Sequence, residues 1–190
     1  MKILVFDNYD SFTYNLVHII RELGYGEEMD IYRNDKLTLE EVDRYDRILL
    51  SPGPGLPADA GIMEALIRKY APTKNILGIC LGHQGIAEVF NATLFNMPVV
   101  LHGVTTRTRI LRSDDELFRD LPEHLKVCRY HSWAVKPETV NGSLEITAVD
   151  EDGTVMGIRH KEYAVRGLQF HPEAYLTESG KIIIKNWLKQ

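Results

Sequence analysis

Apolar positions in the first half of the chain fall into short continuous runs that alternate with segments of helical periodicity. Residues 2–6 (KILVF) are almost wholly apolar, which is typical of a strand buried on both faces of a sheet. From about Ser11 to Gly24, apolar residues recur on one helical face, and Gly24 suits the position just after a helix end. The alternation continues with predicted strands at 30–32, 47–51 and 75–79, a capping box at 38–41, and predicted helices at 62–70 and 81–90. This rhythm predicts a parallel sheet with helices on both faces.

Strand patterns dominate the second half of the chain. Strands are predicted at 99–111, 127–135, 144–149, 155–160 and 164–170, followed by a helix at 177–188. Turn sequences, Asn-Gly at 141–142 and Glu-Asp-Gly at 151–153, separate some of these strands. No internal repeat, low-complexity stretch or linker divides the sequence. We therefore expect one α/β domain over residues 1–190, with a mostly parallel twisted sheet, helices on both faces and additional strands in the second half.

Composition and charge narrow the classes of function. The chain has 44% hydrophobic and 26% charged residues, and its net charge of -5 without a Lys/Arg run speaks against a nucleic-acid-binding surface. No apolar run approaches the ~20 residues that a membrane span needs, so no membrane association is expected. Cys80 and Cys128 form no CxxC or Cys/His cluster, so no metal site is predicted. Because the N-terminal residues lack a signal-peptide pattern, we expect a reducing cytoplasm in which both thiols are free.

Cys80 stands in the sequence GICLG, between a predicted strand and a predicted helix. This spacing matches the G-x-nucleophile-x-G elbow, in which small flanking residues permit a tight, strained turn. At the start of a helix, the local amides and the dipole favour the thiolate, which is the reactive form. The N–H of Leu81 can then help to hold an oxyanion. The alternative is a buried structural cysteine beside packing glycines, but the strand-to-helix position favours the nucleophile.

A histidine and a glutamate follow the last predicted strand, in the segment FHPE. Pro172 favours an extended conformation for His171, and residues two apart in an extended chain point to the same side. Glu173 can therefore orient the imidazole of His171, which would supply Cys80 with a base and an orienting carboxylate. The alternative is a solvated His-Pro-Glu turn, and the presence of an elbow cysteine favours the catalytic interpretation.

A loop rich in Gly and Pro, SPGPGLP at 51–57, follows the third predicted strand. In a parallel sheet, ligands gather at the carboxyl ends of the strands, where this loop and Cys80 both fall. Alternating Pro and Gly gives a stiff loop that offers backbone groups to a ligand at little ordering cost. By itself the loop also fits a plain turn, and it matches neither phosphate-binding motif.

The segments SPGPG, GICLGHQ and GLQFHPE together resemble motifs of the class I (triad-type) glutamine amidotransferases, and they occur in that family's order. The sequence DNYDSFTYNL at 7–16 resembles the glutaminase subunits of anthranilate synthase and aminodeoxychorismate synthase. The resemblance covers essentially the whole chain. It implies that Cys80 is the nucleophile, His171 the base and Glu173 its orienting group. It also implies that glutamine is contacted by Gly53, Pro54, Gly55, Leu81, Gln84, Ser132 and Trp133.

The resemblance further implies that the substrate is L-glutamine and that the partner is a chorismate-using synthase subunit. That partner would be component I of anthranilate synthase or of aminodeoxychorismate synthase. Anthranilate formation in tryptophan biosynthesis is the favoured interpretation, with aminodeoxychorismate formation for folate, or service to both partners, left open. A non-catalytic interaction module and a hydrolase of another substrate are disfavoured by the intact triad and by the GHQ and YHS segments. No cofactor is expected in this subunit, and Mg²⁺ is expected only in the partner synthase.

Overall fold

The computed structural model describes residues 1–190, and most strands join one nine-stranded sheet. The strands are β1 (Ile3–Asp7), β2 (Met29–Arg33), β3 (Arg47–Leu50), β4 (Asn75–Ile79), β5 (Leu94–Asn96), β6 (Val104–Ile110), β7 (His124–Arg129), β8 (Trp133–Val135), β9 (Leu144–Asp150), β10 (Val155–His160) and β11 (Val165–Leu168). The α-helices are α1 (Thr13–Glu22), α2 (Met63–Tyr70), α3 (Leu81–Val89) and α4 (Gly180–Lys189). Short 3-10 turns lie at Glu41–Arg44, Pro57–Asp59, Glu116–Phe118 and Pro137–Thr139. None of the helices is long and apolar enough to span a membrane.

The large sheet has a parallel part and an antiparallel part. Its strand order is β2-β1-β3-β4-β11-β10-β9-β6-β7. Pairing is parallel from β2 to β11 and antiparallel from β11 to β7. The predicted α/β class is therefore confirmed: the alternating first half builds the parallel strands, and the strand-rich second half extends the same sheet as a mixed one.

Alternate residues of the parallel strands face two different layers of helices. Leu4 and Phe6 of β1 belong to a core that contains buried side chains of α2 and α3. Ile3 and Val5 belong to a second core, which contains buried side chains of α1 and α4. Because successive residues of a strand point to opposite faces, a continuous apolar run fills both cores at once.

The strand predictions for the second half are wrong at two places. The predicted strand 99–111 begins only at Val104, and the predicted strand 127–135 divides into β7 and β8, which lie in different sheets. The sequence pattern does not predict strand β5, which pairs with β8 in a separate two-stranded sheet. The helix predicted at 177–188 begins at Gly180.

Residues 97–103 form a loop where the sequence predicts the start of a strand. Val99 and Val100 suggest a strand because β-branched side chains favour pleated, half-buried surfaces. They are instead 63% and 69% exposed. The loop is held by single backbone hydrogen bonds, such as the one from the Leu101 N–H to the His131 carbonyl (3.1 Å), rather than by a continuous ladder. The hydrophobic pattern therefore does not distinguish this exposed apolar loop from a strand of the sheet.

The predicted capping box forms at Thr38 and Glu41. The Thr38 N–H donates to Oε2 of Glu41 (2.8 Å), and the Glu41 N–H donates to the Thr38 hydroxyl (3.4 Å). These reciprocal bonds open the 3-10 turn Glu41–Arg44 rather than an α-helix.

The carboxyl ends of four neighbouring parallel strands bring distant segments of the chain to one edge of the sheet. Residues 8–12 follow β1, residues 51–56 follow β3, Cys80 follows β4, and residues 169–176 follow β11. We call this side of the sheet the carboxyl edge and the opposite side the amino edge. The carboxyl edge is where parallel sheets usually bind ligands.

Candidate active site

Cys80 lies on a strained turn between β4 and α3. Its φ of 52° and ψ of -99° are values that L-residues rarely adopt. A Cβ on Gly78 would lie 2.4 Å from the Gly82 carbonyl carbon, and a Cβ on Gly82 would lie 2.6 Å from the Leu50 carbonyl oxygen. Glycine at both positions therefore lets the strand, the helix and the neighbouring strand approach closely enough to form the elbow.

His171 and Glu173 form a buried pair just beyond β11. Nδ1 of His171 lies 2.7 Å from Oε1 of Glu173, and the two side chains are 2% and 0% exposed. Because an ionised carboxylate only accepts hydrogen bonds, the proton of this bond belongs to Nδ1. The carboxylate thus fixes the ring orientation and leaves Nε2 as the nitrogen that can exchange a proton.

Nε2 of His171 makes no hydrogen bond of ordinary geometry to a protein atom. The Cys80 side chain is nevertheless near enough to bias its protonation. Burial by itself lowers the pKa of His171, but hydrogen bonding to Cys80 and Glu173 and their negative charges outweigh burial and raise that pKa to about 10. The site therefore stabilises the imidazolium that forms when Nε2 of His171 holds a proton beside Cys80.

Aromatic rings and backbone hydrogen bonds hold His171 in place. The rings of Phe12 and Tyr130 have centroids 5.5 and 5.0 Å from the imidazole centroid. The His171 N–H donates to the Cys128 carbonyl (3.0 Å), and its carbonyl accepts from the Thr177 hydroxyl (2.6 Å). The Thr177 hydroxyl also accepts a hydrogen bond from the Cys128 N–H (2.9 Å). These bonds hold Thr177 against the segment that carries His171, and helix α4 begins after Thr177.

Cys80 and His171 border a cavity of about 430 Å³ at the carboxyl edge. Gly53 and Pro54 of the predicted Gly/Pro loop line the same cavity. The complete lining is Tyr9, Asp10, Ser11, Phe12, Pro52, Gly53, Pro54, Cys80, His102, Tyr130 and His171. The structure therefore brings the elbow, the histidine and the Gly/Pro loop to one pocket.

Asn8 fixes the Gly/Pro loop, and the sequence analysis did not identify it. Its N–H donates to the Ser51 hydroxyl (2.8 Å), and its Nδ2 donates to the Ser51 carbonyl (2.9 Å). A Cβ on Gly53 would lie 2.6 Å from Asn8 Cβ and 2.8 Å from the Leu81 side chain. Glycine at 53 therefore lets the loop lie against Asn8 and the start of α3. The sequence gives one indication of this role, because Asn8 directly follows strand β1 and so lies at the carboxyl edge.

The other residues predicted to contact glutamine do not line this cavity: Gly55, Leu81, Gln84, Ser132 and Trp133. Gln84 is buried and donates from Nε2 to the Trp133 carbonyl (2.9 Å) and to Oε1 of Gln169 (3.2 Å). The Ser132 carbonyl accepts the Met97 N–H (2.7 Å). The structure therefore places Gln84 behind the cavity, where it contacts Trp133 and Gln169.

A larger cavity, of about 900 Å³, lies at the amino edge and contains neither Cys80 nor His171. Its walls carry ion pairs: Nε of Arg159 lies 2.8 Å from Oε2 of Glu145, and Nε of Arg166 lies 2.8 Å from Oδ1 of Asp115. Nowhere in the chain do three His, Cys, Asp or Glu side chains group in a way that could hold a metal ion. The amino-edge cavity is the larger of the two, but it is not the candidate active site because it holds no nucleophile beside a base.

Comparisons with known proteins agree with this chemistry. The profile of the family described as glutamine amidotransferase class-I matches residues 4–190. "Anthranilate synthase component 2" of Thermus thermophilus is 47% identical over 100% of this chain and 92% of that protein. "Aminodeoxychorismate/anthranilate synthase component 2" of Bacillus subtilis is 41% identical over 98% of this chain and 95% of that protein.

A solved structure is also similar along the whole chain. It comes from Thermoplasma acidophilum and is described, provisionally, as part of a GMP synthase. It superposes with a TM-score of 0.88 at 28% identity, covering 100% of this chain and 92% of that one. With the profile match over almost every residue, these relatives show that the chain belongs to the class I glutamine amidotransferase family.

Proposed function

We propose that this glutamine amidotransferase releases ammonia from L-glutamine at Cys80 and supplies it to a chorismate-using synthase subunit that forms anthranilate. One observation carries the proposal: a cysteine on a strained elbow shares a pocket with a buried histidine that a carboxylate orients at 2.7 Å. The names of the Thermus and Bacillus relatives support anthranilate synthase as the complex.

Cys80 acts as the nucleophile in this proposal. With Nδ1–H of His171 bonded to Glu173, Nε2 takes the thiol proton and the thiolate attacks the side-chain amide carbon of glutamine. A C–S bond forms, and the amide π-bond electrons move to oxygen. His171 then returns its proton to the departing nitrogen as the C–N bond breaks, which gives ammonia and a glutamyl thioester on Cys80.

The oxyanion of the tetrahedral intermediate needs donors that are already in place. The N–H of Leu81 lies in the first turn of α3, where N–H groups lack intrahelical partners. The Gly/Pro loop lies directly against it, since Gly53 contacts the Leu81 side chain. Backbone N–H groups from these two segments are the proposed oxyanion donors. Because Pro54 has no N–H, the loop offers the N–H groups of Gly53 and Gly55.

Deacylation reverses these roles. His171 removes a proton from a water molecule, which attacks the thioester carbon. The C–S bond breaks, glutamate leaves, and the proton on His171 restores the starting state of Cys80. These steps use only protein groups, and we propose that Mg²⁺ belongs to the chorismate chemistry of the partner. A thiol nucleophile needs reducing surroundings, which supports a cytoplasmic location.

Exposed apolar side chains surround the mouth of the pocket and support docking of the synthase there. Tyr9 lines the pocket and is about half exposed. Tyr175 and Leu176 lie two and three residues after Glu173 and are exposed. Val99 and Val100 are also exposed, in the loop that carries the pocket residue His102. Clustered apolar exposure of this kind marks protein–protein contacts. A partner seated here would close the pocket and receive the ammonia before it escapes to solvent.

The test is synthesis by the chain together with the chorismate-using synthase from the same source, with glutamine or with an ammonium salt as nitrogen donor. Cys80→Ser should abolish glutamine-dependent synthesis and leave ammonia-dependent synthesis intact. Equal loss of both activities would contradict the division of labour between the two subunits.

Aminodeoxychorismate formation is the second candidate, because the Bacillus relative's name contains both products. Pairing the chain separately with an anthranilate-forming and an aminodeoxychorismate-forming synthase distinguishes the two. Glutamine-dependent product with only the first assigns the chain to tryptophan biosynthesis, and product with both shows that the chain serves two synthases.

A further inference from the structure

A series of buried polar groups extends from Cys80 into the protein, and the steps above do not use it. It begins at Gln169, which is fully buried just past the end of β11. Nε2 of Gln169 lies 3.7 Å from Sγ of Cys80, a distance that suits a hydrogen bond to the large sulfur atom. Oε1 of Gln169 accepts from Nε2 of Gln84 at 3.2 Å. Gln169 thus connects the sulfur to a side chain of helix α3.

The direction of each hydrogen bond follows from groups that can only donate or only accept. The guanidinium of Arg129 only donates, and its Nε lies 3.0 Å from Nε2 of His131. The proton of His131 is therefore on Nδ1, which lies 2.8 Å from the Trp133 carbonyl. That carbonyl only accepts, and it also receives Nε2 of Gln84 at 2.9 Å.

These constraints determine how the amide of Gln169 is turned. Gln84 presents its NH₂ group to the Trp133 carbonyl, so the same group faces Gln169, and Oε1 of Gln169 must accept. The NH₂ group of Gln169 is then directed at Cys80. An N–H donor at this position stabilises a thiolate more than a thiol, because the charged sulfur is the stronger acceptor.

An ion pair anchors the distant end of the series. Arg129 contacts Asp150 through Nη1 and Oδ2, and both side chains are almost completely buried. Burial, and to a smaller extent the positive charge of Arg129, lower the pKa of His131 to about 4. His131 therefore stays neutral with one fixed tautomer at neutral pH.

We propose that Gln169 is a further catalytic residue, which donates a hydrogen bond to the thiolate of Cys80. His131 is a positioning residue, because its Nδ1 proton helps to hold the Trp133 carbonyl that orients Gln84. The inference rests on the proposed function, in which Cys80 is the nucleophile. The titratable side chains that face the pocket with Cys80 are Tyr9, Asp10, His102, Tyr130 and His171. None of them is altered in the variants below.

Gln169→Glu removes the donor while it keeps an acceptor for Gln84, and it places an oxygen and a negative charge near Cys80. The readout is the pH profile of Cys80 alkylation by iodoacetamide, followed by mass spectrometry of the peptide that carries Cys80. The midpoint of this profile should rise by about one pH unit, so the rate at a pH below the wild-type midpoint falls about tenfold. Gln169→Leu removes the donor without adding charge and should shift the midpoint in the same direction.

Thr108→Val is the matched control, because it also removes a buried polar group, on β6 opposite Asp150, but one that makes no hydrogen bond to the series. Its hydroxyl has no hydrogen-bond partner. The Thr108→Val variant should keep the wild-type pH profile of Cys80 alkylation. Thermal unfolding, and co-elution with the synthase in gel filtration, show that each variant is folded and able to assemble.

His131→Leu and His131→Asn test the positioning step. Leu removes the Nδ1–H donor, and we expect the alkylation rate at pH 7 to fall about threefold, less than for Gln169→Glu because the effect is indirect. Asn restores an N–H near the position of Nδ1 and should recover most of the rate. A purely structural role would lower thermal stability in both variants without this rescue.

The outcomes separate the inference from the function on which it rests. If the wild-type complex uses glutamine but both Gln169 variants keep the wild-type alkylation profile, the inference is overturned and the proposed function stands. If the wild-type complex cannot use glutamine, the proposed function fails and the inference fails with it.

Discussion

The two edges of the sheet carry very different cavities. At the amino edge, a cavity of about 900 Å³ has charged walls in which Arg159 pairs with Glu145 and Arg166 pairs with Asp115. At the carboxyl edge, a cavity of about 430 Å³ is bordered by two non-glycine residues with positive φ, Tyr9 and Cys80, and by the unpartnered Nε2 of His171. None of the residues that line the amino-edge cavity has a positive φ. Strained backbone persists only where the surrounding fold enforces it. The smaller cavity is therefore the one built for chemistry.

The largest effect expected at the carboxyl edge comes from Glu173→Gln. The amide cannot fix the Nδ1 proton of His171 and no longer offsets the effect of burial, so the pKa of His171 falls and the proton exchange with Cys80 is disrupted. Glutamine-dependent kcat should fall by roughly 10³- to 10⁴-fold, as it does when the orienting carboxylate of a serine protease triad is replaced by its amide. Steady-state assays of the complex, with ammonia-dependent synthesis as the internal control, measure this effect. A fall of less than tenfold would show that Glu173 does not orient the base.

Gly82→Ala should cause the next largest effect, because the elbow leaves no space for a methyl group. The new Cβ would lie 2.6 Å from the Leu50 carbonyl oxygen, which is backbone and cannot move away easily. We expect a loss of about 3 kcal/mol in the free energy of unfolding, close to the upper part of the range for overpacked positions.

Gly142→Ala is the matched control for Gly82→Ala in a turn far from the elbow. Gly142 has a φ of +60°, and a Cβ added to it would have no atom within 4 Å, so only the backbone conformation opposes the substitution. Gly142→Ala should lower the free energy of unfolding by about 1 kcal/mol. Thermal unfolding of both variants gives the comparison, and equal losses would mean that the elbow is not closely packed.

The same contrast between the two edges explains what the sequence could predict. The carboxyl edge is assembled from local signals: GICLG gives the elbow, and FHPE places a carboxylate two residues after a histidine. Each signal depends on residues that are adjacent in the chain, so the fold only has to bring the segments together. The parallel strands β1, β3 and β4 are equally predictable, because burial on both faces makes each of them a largely apolar run.

What the sequence does not show depends on contacts between distant residues. Asn8 holds the Gly/Pro loop through Ser51, which is distant in sequence. Strands β5 and β8 are only three residues long, and they are recognisable only through their pairing. The valines at 99 and 100 wrongly predict a strand because an exposed apolar segment looks the same in sequence as a buried one.

Two buried histidines near the site should weaken the fold in acid. Burial lowers the pKa of His83 to about 3, and burial together with the charge of Arg129 lowers that of His131 to about 4. Between these values and about 6.5, the unfolded chain binds protons that the folded chain does not. Stability should therefore fall as the pH falls through this window, by up to ~1.4 kcal/mol per pH unit for each histidine, and both contributions are complete above about pH 7.

His83→Leu tests this acid sensitivity, because neither ring nitrogen of His83 has a hydrogen-bond partner to lose. Urea unfolding at pH 7, 6 and 5 should show a shallower loss of stability in the variant than in the wild-type chain. His171 has the opposite sign: its raised pKa stabilises the fold below about pH 6.5, and this contribution is lost as the pH rises toward about 10. An identical slope in variant and wild type would mean that His83 titrates normally.

The smallest effect is expected at the amino edge, from Glu145→Gln. Glu145 contacts Arg159 (2.8 Å) and Arg112 (2.6 Å), but its side chain is about one-fifth exposed and the Arg159 guanidinium keeps a second partner in Asp114 (2.8 Å). Loss of one carboxylate from such a partly solvated network should cost about 1 kcal/mol of unfolding free energy or less. Glutamine-dependent and ammonia-dependent synthesis should both stay at wild-type rates. A selective fall in the glutamine-dependent rate would show that the amino edge is coupled to Cys80, and the functional separation of the two edges would then be wrong.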